Sequence, residues 1–272
     1  PASVMAQVDH IRLDNQIISL EEGPPGDFKP KLNEDVAKRL SQGTNETSPC
    51  TTVALLGNTG AGKSFLLQRL LERFGVAERP FAIDYGDSDG GYCPVSVTGN
   101  IHCFTNGNQL FFDVEGTGGT IPLLERIRLG IGNRLNITAG EQRMQDGRKA
   151  SVAKYFPQLA YVISTSVVYV TREPLNCTST NEAILRFTTA AGENADGVRP
   201  HLIILHNLCP LAHACVGEAA ERKFTQEYLA TWDADMSLRS MFAGVSCMTF
   251  PDVDAFDKKR ELDGEELFER QL

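Results

Sequence analysis

The stretch TTVALLGNTGAGKS, residues 51–64, constrains the fold of this chain more than any other. An apolar run rich in Val and Leu reads as a buried strand, and the glycines behind it force a turn. Gly57, Gly62, Lys63 and Ser64 meet the pattern G-x-x-x-x-G-K-[ST]. Glycines let backbone N–H groups turn inward around phosphate oxygens, where Cβ atoms would collide. The helix expected after Lys63 points its positive end at the same place. Phe65, Leu66, Leu70 and Phe74 fall at helical spacing, with Gly75 as the stop. The whole loop, Gly57, Asn58, Thr59, Gly60, Ala61, Gly62, Lys63, Ser64 and Phe65, is therefore expected to hold phosphate. Lys63 reaches the β- and γ-phosphates and the Ser64 hydroxyl ligates Mg²⁺.

The rest of the chain alternates strands and helices. VDHIRLDNQIISLEE (8–22) reads as two short strands around Asp14-Asn15, EEGPPGDFKPK as a loop, and NEDVAKRLSQ (33–42) as a helix capped by Asn33. VTGNIHCFT (97–105) and QLFFDVEG (109–116) read as strands of a hairpin, joined through the Asn-Gly of TNGN. Residues 117–155 are rich in Gly and Arg, lack a clear period, and read as a long insertion with some helix. LAYVISTSVVYV (159–170), HLIILHN (201–207) and VSCMTF (245–250) read as strands. NEAILRFTTAAG, GEAAERKFTQEYLATW and the terminal LDGEELFERQL read as helices. The sum is an α/β chain of three layers, with a mixed, mostly parallel sheet and helices on both faces. One domain over 1–272 is the simplest account, residues 1–50 forming a hairpin and helix that lead into it.

Charge and cysteine content bound the partners. The formal net charge is −9, which argues against a nucleic-acid surface but not against a local phosphate pocket. Seven scattered cysteines without a C-x-x-C spacing fit reduced thiols in a cytoplasmic setting. The apolar run at 159–170 is too short and too interrupted by Ser164, Thr165 and Ser166 to span a membrane.

A phosphate loop is completed by groups from elsewhere. Asp113 ends an apolar strand in FFDVEGTGG, where a carboxylate can serve Mg²⁺. Asp113 and Gly116 form D-x-x-G, whose glycine N–H suits a γ-phosphate. Thr98 stands between the loop and Asp113, where a hydroxyl can join the Mg²⁺ shell. Glu115 admits two roles, an acceptor in a water chain during hydrolysis or a loop-shaping carboxylate.

These segments together resemble the G domain of the guanylate-binding protein and atlastin type, within the dynamin superfamily. VALLGNTGAGKSFLLQRLL resembles the family's loop and first helix, VTGNI its switch I segment, and DVEG its D-T-E-G or D-T-Q-G switch II. LDNQIISL with LNEDVAKRLSQ, then FTQEYL, MFAGVSCMTFP and LDGEELFERQL, resemble its opening and closing elements. The resemblance implies a Mg²⁺-dependent GTPase that converts GTP to GDP, switches conformation and dimerises through its nucleotide face. Three positions depart from the family. Gly60 stands where a loop arginine often acts as an internal finger, and His206-Asn207 stands where Arg-Asp reads guanine. The insertion after DVEG is longer and carries Arg126, Arg128, Arg134, Arg143 and Arg148, any of which is either a finger or a solvated side chain. A nucleotide-binding interaction module with little or no hydrolysis, or with ATP or XTP preference, is the alternative these departures favour.

Overall fold

Residues 15–24, 26–43, 50–76, 100–118, 138–173, 178–192, 199–210, 217–230, 240–252, 256–257 and 262–272 are described by a computed structural model of the chain. The chain divides into two compact units, Pro1–Ala160 and Tyr161–Leu272.

In the first unit, QIISLEE buries Ile17, Ile18 and Leu20 and forms β1 (Gln16–Glu22). FKPKL, expected to be loop, pairs with it as antiparallel β2 (Phe28–Leu32). Only Phe28 of that strand is buried, and the lysines and Pro30 that disguised it belong on an outer strand. There a missing proline N–H breaks no ladder on the open side. The turn expected at Asp14-Asn15 lies at the limit of the described residues, and residues 8–14 lie outside them. Asn33 caps α1 (Glu34–Gly43), its Oδ1 accepting from the Val36 N–H at 3.3 Å.

β3 (Thr51–Gly57) leads through the glycine loop into α2 (Lys63–Arg73). The buried face of α2 is Lys63, Leu66, Leu67, Gln68 and Leu71, one residue round from the expected stripe, and Phe74 is half exposed. Gly75 ends the helix with a positive φ, while the Gly75 and Val76 N–H groups close back on Glu72 and Leu71. β4 (Ile101–Asn106) and β5 (Gln109–Val114) form the expected hairpin. Its positive φ falls on Gly107, the first of the two loop residues between the paired Asn106 and Gln109. The strand order is β2-β1-β4-β5-β3, with β3 and β5 parallel and the other neighbours antiparallel.

The largest departure is α3 (Ala139–Ile163), a helix of 25 residues in which Pro157 interrupts the bonding. YVI, expected to open a strand, is its last turn. Short apolar runs do not separate buried strand from buried helix. Val152, Phe156 and Ala160, each buried, carry the four-residue spacing that identifies the helix.

The second unit is built from parallel strands joined by helices. β6 (Ser166–Thr171), β7 (His201–Cys209) and β8 (Gly244–Pro251) lie side by side in that order. α4 (Thr178–Gly192) and α5 (Glu218–Ala230) supply the crossovers that parallel strands require. β9 (Phe256–Asp257) and β10 (Leu262–Asp263) form a short antiparallel pair. Asp263 then caps α6 (Gly264–Gln271) by accepting from the Glu265 and Glu266 N–H groups. The chain is thus α/β with both parallel and antiparallel pairing. No described helix is long and apolar enough to cross a membrane.

Candidate functional site

The glycine loop takes the shape its composition demands. Gly57, Gly60 and Gly62 hold φ values of 138°, 76° and 91°, in the region that L side chains rarely adopt. Gly62 is also the N-cap of α2 and offers no side-chain cap. The helix thus begins without a side-chain cap, at the end where its dipole favours anions.

Lys63 lies folded inside this loop. Its Nζ donates to the carbonyls of Gly57 at 3.2 Å and Asn58 at 3.1 Å. Burial pushes its proton affinity below the usual lysine range, and the nearby Asp113 and Glu115 carboxylates oppose that shift. Parallel pairing of β3 with β5 sets Leu55 beside Asp113 and so brings the carboxylate to the loop. The Ser64 hydroxyl donates to Asp113 Oδ2 at 2.6 Å. Two sequence-expected Mg²⁺ ligands, 49 residues apart, are therefore in direct contact.

Gly116 lies against the same loop. A Cβ on it would come within 2.5 Å of Thr59 N and 2.6 Å of Thr59 Cα, so no side chain fits. The two loops bond to each other beyond the strands. Thr59 N–H donates to the Thr117 carbonyl at 3.0 Å, and Thr117 N–H to the Gly57 carbonyl at 3.3 Å. The Thr59 hydroxyl donates to the Gly116 carbonyl, and the Thr117 hydroxyl to Asn58 Oδ1.

Behind Gly116, both oxygens of Glu115 are engaged. Arg148 donates to them through Nη1 at 2.5 Å and Nη2 at 2.7 Å, and Asn100 N–H donates to Oε2 at 2.6 Å. Arg148 is fully buried. It is the one insertion arginine for which the solvated reading fails among those described, since Arg143 is exposed and Arg126, Arg128 and Arg134 lie outside the described residues. Sequence reasoning named Arg148 only among five candidate finger arginines, tied it to no partner, and missed Asn100. The signal was present for Arg148, which stands four residues before Val152 on the buried stripe of α3.

Thr98 lies outside the described residues. His206 and Asn207 belong to the second unit, both buried near the end of β7. The His206 ring packs edge-on to Phe224 and Tyr228, and its Nδ1 donates to the Glu173 carbonyl at 3.2 Å. A carbonyl only accepts, so Nδ1 carries a proton. Side-chain alternation sends Asn207 to the other face of the strand. Just beyond, Leu208 takes a φ of 56° where the pairing with β8 shifts register.

No family model matches the chain, and no curated protein does. Among solved structures the chain is similar to one described as a crystal structure of a mutation variant of SsGBP. The identity is 10% and the TM-score 0.32, over 99% of this chain and 62% of that one. The chain thus spans less than two thirds of the length of that neighbour. At this level the likeness assigns neither fold nor activity.

Proposed function

We propose that the chain is a single P-loop G domain that binds a purine nucleoside triphosphate, GTP foremost, and hydrolyses it to the diphosphate. The observation that carries the reading is the convergence of Lys63, Ser64 and Asp113 on a glycine loop that opens a helix at a residue without a side-chain cap. In this reading the loop N–H groups and the first turn of α2 hold the phosphates. Lys63 leaves the Gly57 and Asn58 carbonyls for the β- and γ-oxygens, regaining in charge pairing what burial costs it.

Ser64 and Asp113 suit Mg²⁺, because a hydroxyl beside a carboxylate offers hard oxygen donors with room left for water and phosphate. Among the described residues no cluster of His, Cys, Asp and Glu forms an all-protein metal cage. Bound there, Mg²⁺ supplies charge neutralisation at the phosphate oxygens. Gly116 presents its N–H to the γ-phosphate, and Thr98 adds its hydroxyl from the preceding segment. In the reaction a water oxygen bonds to the γ-phosphorus as the bridging bond to the β-phosphate breaks. The diphosphate leaves with that electron pair, and the water proton passes to phosphate. Glu115 shapes the loop in this scheme, because its oxygens already accept from Arg148 and Asn100. The family resemblance extends the proposal to nucleotide-dependent homodimerisation.

A second reading, binding with little hydrolysis, is favoured by Gly60 in place of a loop arginine and by the engagement of Glu115. Titration with fluorescent GTP, ATP and XTP analogues, followed by phosphate release, separates the readings. Tight GTP binding and a release that Lys63→Ala abolishes support the enzyme. Binding without release supports the module, and no binding by the wild type overturns both. Elution volume with and without a GTP analogue reports dimerisation.

A further inference from the structure

Arg148 ties together two segments that a γ-phosphate must address. It lies on α3, yet its guanidinium is bidentate on Glu115, the residue before Gly116. Its Nη2 also donates to Asn100 Oδ1 at 3.3 Å, two residues after Thr98 in sequence. Glu115 and Asn100 are themselves cross-bonded. Asn100 N–H donates to Glu115 Oε2, and Glu115 N–H donates to the Asn100 carbonyl at 2.9 Å. Asn100 holds a φ of 69°, a conformation this mutual grip stabilises, and its Oδ1 accepts from the Leu20 N–H at 3.2 Å. All these groups are buried, so their charge-assisted bonds act at low dielectric. Helix α3 is seated against the β1–β2 turn without slack, Gly147 meeting the backbone of Gly26.

We infer that Arg148 is a positioning residue that sets Gly116 and the Asn100 segment for recognition of a γ-phosphate, making α3 the element that senses triphosphate against diphosphate. The inference rests on the nucleotide reading above. Arg148 is fully buried, its guanidinium engaged with Glu115 and Asn100. It acts through Glu115, which fixes the turn that carries Gly116 onto Thr59. Removing the guanidinium alone would strand a buried carboxylate, which costs stability whatever the function. The informative variant is the double change Arg148→Met with Glu115→Gln, which removes both charges and keeps side-chain volume near constant.

The experiment compares affinities for GDP and for a non-hydrolysable GTP analogue, together with single-turnover phosphate release, in folded protein checked by circular dichroism. The double variant should hold GDP within about threefold of wild type. It should weaken the triphosphate analogue about tenfold relative to GDP and slow release about 100-fold, the scale of losing one aimed donor. An unchanged ratio, or equal loss of both nucleotides, overturns the inference, since a purely structural role moves both alike. Should the double variant not fold, hydrogen exchange on wild type decides. Peptides covering residues 100–116 and 143–152 should be better protected with the analogue than with GDP, and equal protection overturns it. Wild-type protein that binds neither nucleotide removes the reading and the inference together. Discrimination in wild type that persists in the variant removes the inference alone.

Discussion

Gly116 answers to a close approach as well as to a motif. A methyl group there would sit 2.5 Å from a backbone nitrogen of the glycine loop. The two nearest atoms, Thr59 N and Thr59 Cα, are both backbone, so the backbone itself must move. Gly116→Ala is expected to part the Thr59–Thr117 and Thr117–Gly57 bonds and lower stability by about 2 kcal/mol in urea unfolding. A loss under about 0.5 kcal/mol would place the contact among tolerated ones. His206 makes a prediction of a different kind. Burial pushes its proton affinity below the ordinary histidine value of 6.5, and the hydrogen bond to Glu173 opposes this. The neutral ring is the folded form. As pH falls through 6.5 the unfolded chain takes up a proton that the folded one resists. Stability from this group is therefore full above that value and drains below it, by at most about 1.4 kcal/mol per pH unit. His206→Phe keeps an aromatic ring against Phe224 and Tyr228 and removes the linkage. Its stability should fall less steeply with acid below pH 6.5 than that of wild type, measured by denaturant melts across pH. Parallel profiles would contradict the neutral ring.

Helix α3 shows where local sequence informs and where it fails. At Gly147 two effects oppose each other. Helix propensity alone makes Gly→Ala stabilising by about 1 kcal/mol. A Cβ there, however, would lie 2.1 Å from the Gly26 carbonyl oxygen, and both sides of the contact are backbone. Gly26 itself holds a φ of 86° in its turn. Overpacking of this kind costs about 2–3 kcal/mol, so Gly147→Ala should destabilise, and a more stable variant in chemical denaturation would refute the contact. The β3–loop–α2 unit was readable because apolar run, glycines, lysine and following helix all constrain the same dozen residues. The Arg148–Glu115 and Arg148–Asn100 bonds span 33 and 48 residues, and pairing at that distance leaves no mark on either neighbourhood. The strand expected at 159–163 went wrong for a local reason. An apolar run suits either period, and only the distant spacing of Val152, Phe156 and Ala160 decides it. β2 was hidden by its lysines and Pro30, which mark an outer strand and a loop equally well.

At the scale of the molecule the question is whether the two units act as one. Each has its own strands and core, and the division at Ala160 and Tyr161 falls in the last turn of α3. A helix interrupted there would lose its closing turn, which favours one cooperative transition. The glycine loop, Asp113 and Arg148 all belong to the first unit, whereas the chain's single tryptophan, Trp232, comes after Tyr161 in sequence and lies outside the described residues. That asymmetry makes a direct test. A nucleotide that binds only folded protein adds about 2.7 kcal/mol of stability at 100 times its Kd. Trp232 fluorescence and far-ultraviolet circular dichroism should then give coincident melts, and Mg²⁺ with a GTP analogue should raise both together. The shift should vanish in Lys63→Ala, whose loop has lost its charge for the phosphates. Two transitions, with only the dichroism moving, would divide the chain at α3 and confine the nucleotide's effect to residues before Tyr161. Coincident melts that ignore nucleotide would leave the single domain standing and overturn the phosphate site.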